Sequence, residues 1–71
     1  MAVGKTSKAV AANIGKLRAT KRLTQAEVAA TGNLNTNYFA QIERGEVNIS
    51  VEMLEKVCKG LDAKSSEILP F

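Results

Sequence analysis

The chain has few of the residues that build catalytic or metal centres. Its 71 residues include no His, no Trp, one Cys and one Pro. A lone Cys forms no internal disulfide and no metal cluster, which fits a reducing environment. No Ser or Cys has a visible base partner, and no Gly-rich phosphate loop occurs. The sequence therefore argues against an enzyme, and we expect no cofactor and no bound metal.

Long apolar segments and aromatic residues are also scarce. No apolar run approaches the roughly 20 residues that cross a bilayer, and the N-terminus lacks the apolar segment of a signal peptide. We therefore expect a cytoplasmic protein without membrane contact. Aromatic residues make up 4% of the chain, and this scarcity, with one Pro, favours an all-α fold. The length predicts one small domain that would gain stability from dimerisation.

Charge is distributed unevenly along the chain, although the net charge is only +3. Residues 1–25 carry six basic residues and no acidic one, whereas residues 26–71 carry four basic and seven acidic residues. This asymmetry suggests a polyanion at the basic end and a different partner at the acidic end. The alternative is a solvated surface on which the charges cluster by chance.

Apolar spacing and capping residues predict the helices. Residues 1–7 are predicted to form a flexible arm and residues 8–71 the folded domain. Thr24 with Glu27 forms a capping box, and Asn35 and Ser50 are further N-caps. Leu54, Val57, Cys58 and Leu61 form one apolar stripe on the fourth helix. Together with the spacing of Val, Ile and Leu elsewhere, these signals predict five helices. Their approximate ranges are 8–21, 24–31, 36–44, 50–61 and 65–69.

A polar break separates the second helix from the third. The connection at residues 32–35 is short and contains Gly, which forces the two helices to cross steeply in a helix-turn-helix arrangement. The third helix should bury Phe39 and Ile42 and turn four other residues outward: Thr36, Asn37, Ala40 and Gln41. Asn and Gln can bond adenine with two hydrogen bonds, and Thr can contact either base pair. The polar residues at this break and on the third helix are therefore predicted to contact DNA bases, which would make the protein nucleoid-associated.

Residues 23–45 resemble the Cro/repressor-type helix-turn-helix of the XRE family, the lambda-repressor-like DNA-binding domain. The matching motifs are LTQ at residues 23–25, Glu27, the pair Val28 and Ala29, Tyr38, and IERG at residues 42–45. The resemblance extends from about Ala9 to Leu69. It implies a compact five-helix bundle and a transcriptional regulator that binds double-stranded DNA in a sequence-specific manner.

The resemblance also implies a role for individual side chains. The positions that approach bases are Asn35, Thr36, Asn37 and Gln41. The positions assigned to the DNA backbone are Gln25, Tyr38 and Arg44, to which the basic end adds Lys21 and Arg22. Arg18 and Glu43 resemble a partly buried ion pair that ties the first helix to the third. Asn35 has an alternative role as an N-cap only, and the two roles are compatible.

Three residues depart from the family pattern. Asn33 stands where Gly is usual, Phe39 where a β-branched residue is usual, and Ile49 where Pro is frequent. Asn tolerates the left-handed backbone of that turn, so the fold should survive. Ile49 is expected to be exposed or inserted in an interface. The base-reading positions lack Arg, whose contact with guanine is the commonest specific one, which suggests A/T-leaning or weak sequence readout.

Family members usually bind a pseudo-palindrome as a two-fold homodimer. The candidate interface residues are Ile49, Met53, Ile68, Leu69 and Phe71. Phe71 has the alternative of folding back onto its own core. We expect no small-molecule effector.

The chain also resembles stand-alone regulators, namely restriction–modification controller proteins, small phage-type repressors and antitoxins. Among these, the segment after residue 47 is most similar to the controller type, which implies a protein that regulates its own operon. The rival hypothesis is an antitoxin or coactivator-like module that binds a protein partner.

Overall fold

The computed structural model describes residues 3–71, and all regular structure in that range is helical. Its elements are α1 (Lys5–Thr20), α2 (Gln25–Gly32), α3 (Thr36–Glu43), α4 (Val51–Leu61) and a 3-10 helix, η1 (Ser65–Glu67). The described residues thus contain four α-helices rather than the predicted five. The fifth predicted helix is a single 3-10 turn. Only three residues separate it from the end of α4, and Pro70 soon follows it, so the segment is too short for a further α-helix.

The N-terminal boundary differs from the one predicted. Helix α1 begins at Lys5, so residues 5–7, which were assigned to the flexible arm, are helical. The first helical turn is closed by the N–H of Lys8, which donates to the carbonyl of Gly4 at 3.1 Å. Met1 and Ala2, the other end of the predicted arm, lie outside the described residues. The folded region therefore starts earlier than the apolar periodicity indicates, since α1 opens with a polar turn.

The predicted N-caps are confirmed at three helices. The Thr24 hydroxyl accepts from the N–H of Glu27 at 3.0 Å, and the Glu27 carboxylate accepts from the N–H of Thr24 at 2.8 Å. The side chain of Asn35 caps α3, and that of Ser50 caps α4. Each cap satisfies N–H groups that the helix itself leaves unpaired. These local bonds fix where α2, α3 and α4 begin.

The four α-helices share one type of C-terminal turn. Each is followed by a residue in the left-handed region, and these residues are Arg22, Asn33, Gly45 and Asp62. The next N–H then donates back to a carbonyl five residues earlier, as from Leu34 to Ala29 at 2.7 Å. This is the Schellman arrangement, which satisfies the last carbonyls of a helix. Only one of the four positions is Gly, so backbone hydrogen bonds stabilise this turn for ordinary side chains as well.

The core gathers apolar side chains from all four α-helices and from the C-terminal segment. Its buried members are Val10, Ile14, Val28, Ala29, Phe39, Ile42, Val57, Leu61 and Ile68. Phe39, the departure on α3, is the largest fully buried side chain and fills the centre. Bulk at this position therefore supports the fold.

Ile68 belongs to this core and not to an exposed interface. Its side chain is 0% exposed, and its carbonyl accepts from Nδ2 of Asn13 at 2.8 Å. The assignment of Ile68 to the dimer interface is therefore wrong. The 3-10 turn rotates the chain so that Ile68 points inward, whereas Leu69 is only partly buried.

Helices α2 and α4 touch backbone to backbone through two glycines. A Cβ atom on Gly60 would collide with the carbonyl oxygen of Val28 in α2 and lie 2.9 Å from the Cγ1 atom of Val28. A Cβ atom on Gly32 would collide with the carbonyl oxygen of Lys56 in α4. Each helix therefore supplies a glycine where the other comes closest. This contact sets the position of α2, which in turn supports α3.

Candidate nucleic-acid interface

The outer face of α3 carries uncharged polar side chains. Thr36, Asn37 and Gln41 are exposed, and Phe39 and Ile42 on the opposite face are buried. Ala40 was expected on the outer face, but it is only 9% exposed and packs inward. Three of the four predicted outward residues therefore form one surface. This surface offers hydrogen-bond donors and acceptors without a net charge.

Asn35 has its capping role in the structure. Its Oδ1 atom accepts from the N–H of Tyr38 at 3.0 Å, and the residue is exposed at the start of α3. Capping uses the side-chain oxygen, so the amide nitrogen is still available for another partner. Tyr38 is partly buried against the core cluster. The cap therefore does not exclude a DNA role, which stays a prediction for both residues.

An ion pair joins Arg18 of α1 to Glu43, the last residue of α3. The Nη2–Oε1 distance is 2.7 Å, and Nε donates to both carboxylate oxygens at 3.1 and 2.9 Å. The two side chains are 23% and 12% exposed. Hydrogen bonding by Glu43 raises the pKa of the Arg18 guanidinium, which therefore stays charged. The pair ties α3 to α1, in the place that the resemblance implied.

Two further contacts extend this ion pair to the start of α2. The Nη1 atom of Arg18 donates to the carbonyl of Leu23 at 2.8 Å, and Nε2 of Gln25 donates to Oε2 of Glu43 at 3.4 Å. The side chain of Gln25 is therefore directed by the same carboxylate that orients α3. One network positions α1, the beginning of α2 and the end of α3 relative to one another.

The basic side chains assigned to the DNA backbone have different surroundings. Arg44 forms a second ion pair, with Nε 2.7 Å from Oε2 of Glu46 and Nη2 3.1 Å from Oε1. Hydrogen bonds from Arg44 lower the pKa of the Glu46 carboxyl. The Nζ atom of Lys21 donates to the carbonyl of Asp62 at 3.0 Å, and Arg22 is exposed. The carboxylate of Glu46 was not anticipated from the sequence.

An apolar face lies on α4 and the C-terminal segment. Phe71 is 87% exposed, so it does not fold back onto its own core, and Val51 is 84% exposed. A groove of about 280 Å³ adjoins both side chains; its lining includes Val10, Ile49, Leu54 and Leu69. Ile49, Met53 and Leu69, the other predicted interface residues, are partly buried. Met53 does not line the groove.

Val51 is a member of this apolar face that the sequence interpretation missed, and Leu54 was predicted as part of the α4 stripe but not as an interface residue. Val51, Leu54 and Cys58 follow the spacing i, i+3, i+7 of one helical face, and all three line a neighbouring depression with Leu69. Extending the predicted stripe of α4 by one turn towards its N-terminus would have included Val51. Val51 was overlooked because it directly follows the N-cap, Ser50, and was not counted with the stripe.

Cys58 is the one residue with nucleophilic potential that composition singled out. It is partly buried on α4. Burial, and next the Glu67 carboxylate, raise the pKa of its thiol. A thiol with a raised pKa is a poor nucleophile because the thiolate is the reactive form. Cys58 is therefore an apolar packing residue in this structure.

No helix within residues 3–71 combines the length and the apolarity needed to cross a membrane.

A family model described as helix-turn-helix matches residues 14–69 of the chain.

Two curated relatives are similar over most of the chain. The immunity repressor protein of Bacillus phage phi105 is 37% identical over 60 residues, which are 84% of this chain and 42% of the repressor. Control protein C.BamHI of Bacillus amyloliquefaciens is 33% identical over 49 residues, which are 69% of this chain and 60% of that protein. The chain thus spans about half the length of these relatives.

A solved structure gives the same fold. It is the crystal structure of the restriction–modification controller protein C.Esp1396I, as a tetramer in complex with its natural 35-base-pair operator. The TM-score is 0.85 at 32% identity, with 89% of this chain and 83% of that chain covered.

Proposed function

Because the chain belongs to the XRE-type helix-turn-helix family, we propose that it is a transcriptional regulator that binds double-stranded DNA sequence-specifically through α3. The observation that carries the proposal is the exposed, uncharged polar face of Thr36, Asn37 and Gln41. The network of Arg18, Glu43 and Gln25 fixes α3, which carries that face, relative to α1 and α2. Such a face suits base edges in a major groove, where a fixed helix reads donors and acceptors.

The remaining assignments divide into base readout and backbone contact. Asn35, Thr36, Asn37 and Gln41 approach bases. Gln25, Tyr38, Arg44, Lys21 and Arg22 contact phosphates and sugars, which position the helix without reading sequence. Lys21 and Arg22 follow the basic α1 and are both exposed, so their charge is accessible to a phosphate. Arg is absent from the base-reading set, so readout leans towards A/T base pairs.

The protein acts as a homodimer on a pseudo-palindromic operator. One helix reads too few base pairs to be specific in a genome, and two copies related by a two-fold axis double the site. The apolar face of Val51, Leu54, Leu69 and Phe71 is the interface that supports this arrangement, with Ile49 lining its groove. Dimerisation and DNA binding are then coupled through protein concentration.

The regulated gene is the protein's own, in the manner of a controller protein or a small phage-type repressor. The similarity to an immunity repressor, to a control protein and to an operator-bound controller supports this proposal. The rival function, an antitoxin or coactivator-like module, requires no polar face on α3. The exposed Thr36, Asn37 and Gln41 therefore favour DNA binding.

Selection of bound sites from a random DNA pool tests the proposal. The selection is run at about 150 mM salt, where screening is physiological. A motif with two-fold symmetry is the expected result, and it gives the operator to search for upstream of the gene. Recovery of unselected sequence would contradict sequence-specific binding. Pull-down of a protein partner in place of DNA would favour the rival function.

Gln41→Ala is expected to reduce discrimination between the selected site and random DNA. Loss of a two-point base contact costs about 1–3 kcal/mol, whereas affinity for random DNA stays nearly constant. Competition binding with both DNAs measures the ratio. Ser66→Ala, an exposed change on η1, is the matched control and leaves the ratio unchanged. An unaltered ratio in Gln41→Ala would remove this residue from base readout.

Val51→Glu and Phe71→Ser are expected to weaken dimerisation by about tenfold or more, since large apolar side chains dominate such interfaces. Both side chains are highly exposed in the single chain, so folding should not suffer. Sedimentation equilibrium measures the dissociation constant, and circular dichroism follows the fold. Lys59→Ala, an exposed change on the same helix, serves as the control. An unshifted monomer–dimer equilibrium would place the interface elsewhere.

A further inference from the structure

The turn after α3 holds a paired cation and anion on the segment that carries Gln41. Arg44 caps the C-terminus of α3, Gly45 follows with φ 72°, and Glu46 comes next. The N–H of Glu46 donates to the carbonyl of Gln41 at 3.0 Å, which fixes the backbone of the turn. The two side chains are therefore joined at a defined place, immediately beside the base-reading helix.

The Glu46 carboxylate binds the Arg44 guanidinium with the same two-point geometry that a phosphate would have. Nε and Nη2 of Arg44 each donate to a different oxygen of Glu46, at 2.7 and 3.1 Å. The same fork of two parallel N–H groups is what Arg presents to a phosphate. Arg44 and Glu46 are 56% and 50% exposed, so solvent and DNA can both reach the pair. A phosphate and the Glu46 carboxylate are thus alternative partners for one donor set.

Acidic and basic side chains offset one another in α3 and the turn that follows it. Residues 36–46 contain two acidic side chains, and among the described residues each is paired with an Arg. The Arg18–Glu43 pair is mostly buried, whereas the Arg44–Glu46 pair faces solvent. With Glu46 in place the end of α3 is close to neutral. A polyanion therefore gains little long-range attraction from Arg44.

We propose that Glu46 competes with DNA phosphates for Arg44 and thereby lowers the affinity of the protein for the DNA backbone. This inference rests on the DNA-binding function proposed above. A phosphate that binds Arg44 must break two hydrogen bonds to Glu46 and then lie near its negative charge. Base readout by α3 is not altered. Glu46 therefore acts on specific and nonspecific DNA alike and sets the protein concentration at which either is occupied.

Glu46→Gln tests the competition because it removes the charge and keeps the size. Affinity for both the selected site and random DNA is expected to rise, roughly fivefold per protomer at 150 mM salt, with a salt slope steeper by about one. Glu52→Gln makes the same charge change on α4, away from any ion pair in residues 3–71. It should change affinity much less.

Arg44→Gln, alone and combined with Glu46→Gln, shows whether the effect passes through Arg44. The gain from Glu46→Gln should disappear when Arg44 is absent. A gain that persists without Arg44, or that equals the gain of Glu52→Gln, would mean a general charge effect and overturn the inference. A loss of affinity would mean that Glu46 positions Arg44. If the unmodified protein binds no DNA, the proposed function fails as well, whereas DNA binding that Glu46→Gln leaves unchanged refutes this inference alone.

Discussion

Gly60→Ala is expected to lower the free energy of unfolding by roughly 2–3 kcal/mol, the upper range for an overpacked core site. The added methyl group would meet the carbonyl oxygen of Val28, which is backbone and cannot rotate away. Helices α2 and α4 must then separate. The better helix propensity of Ala, worth about 1 kcal/mol, offsets only part of this cost. Thermal unfolding followed by circular dichroism should show a midpoint lower by about 10–20 °C.

Lys59→Ala is the matched control, since it alters an exposed side chain in the same turn of α4. Its effect should stay within about 0.5 kcal/mol. Gly60→Ser should be more damaging than Gly60→Ala because its side chain is larger. Equal midpoints for Gly60→Ala and the unmodified protein would show that α2 and α4 can move apart freely.

Glu43→Ala is expected to destabilise the protein by roughly 2–3 kcal/mol, the scale of lost hydrogen bonds to a charged group. The substitution leaves the partly buried side chain of Arg18 without its carboxylate partner and frees the side chain of Gln25. The loss is smaller than the cost of breaking a fully buried pair because water still reaches Arg18. Denaturant unfolding measures the change. DNA affinity should fall as well, since α3 loses its connection to α1.

Two further variants separate the ion pair from the loss of a side chain. Glu55→Ala removes an exposed carboxylate from α4 and should be nearly neutral. Arg18→Met combined with Glu43→Met should be more stable than Glu43→Ala alone, because apolar side chains of similar volume replace a buried pair at little cost. A double variant as unstable as Glu43→Ala would contradict this account of the network.

The starts of α2, α3 and α4 were predictable from the sequence because their signals are local, whereas α1 has no side-chain cap and begins three residues earlier than predicted. The Thr24–Glu27 box and the caps at Asn35 and Ser50 each depend on residues within one turn. The apolar stripe of α4 was likewise visible, and Val57 and Leu61 are both fully buried. The Arg18–Glu43 pair spans 25 residues of sequence, and only the family resemblance made it predictable.

Two wrong assignments have different causes: Ile68 lies in a segment too short to show a periodicity, and Ala40 lies where helical spacing misjudged the edge of the buried face. Ile68 and Leu69 are adjacent, and no apolar pattern after residue 64 shows which of them faces inward; the structure buries Ile68. Ala40 was placed outward by helical spacing alone. Phe39 and Ile42 draw that flank of α3 towards the core, and a side chain as small as Ala fits there.

Features that depend on two distant segments left no mark in the sequence. Gly60 reads as a weak helix end, and its contact with Val28 exists only because α2 crosses α4. Helix crossing is a result of tertiary packing, which local propensity does not specify. The Arg44–Glu46 pair is local by contrast, since the two residues are two positions apart, but it forms only because Gly45 between them takes a left-handed backbone.

The left-handed turns that end the helices are sites where single substitutions can increase the stability of the protein. Three of the four left-handed positions hold Arg22, Asn33 and Asp62, and a left-handed backbone costs a residue with a side chain about 1–2 kcal/mol, less for Asn and Asp. Glycine at Asn33 or Asp62 would recover part of that cost without changing the core, α3 or Arg22, which we propose to contact the DNA backbone. A lineage can therefore change the residues that we propose to read bases, lose stability by doing so, and recover it by a substitution at a helix end. Changes of operator preference are thereby more accessible than the small size of the domain suggests.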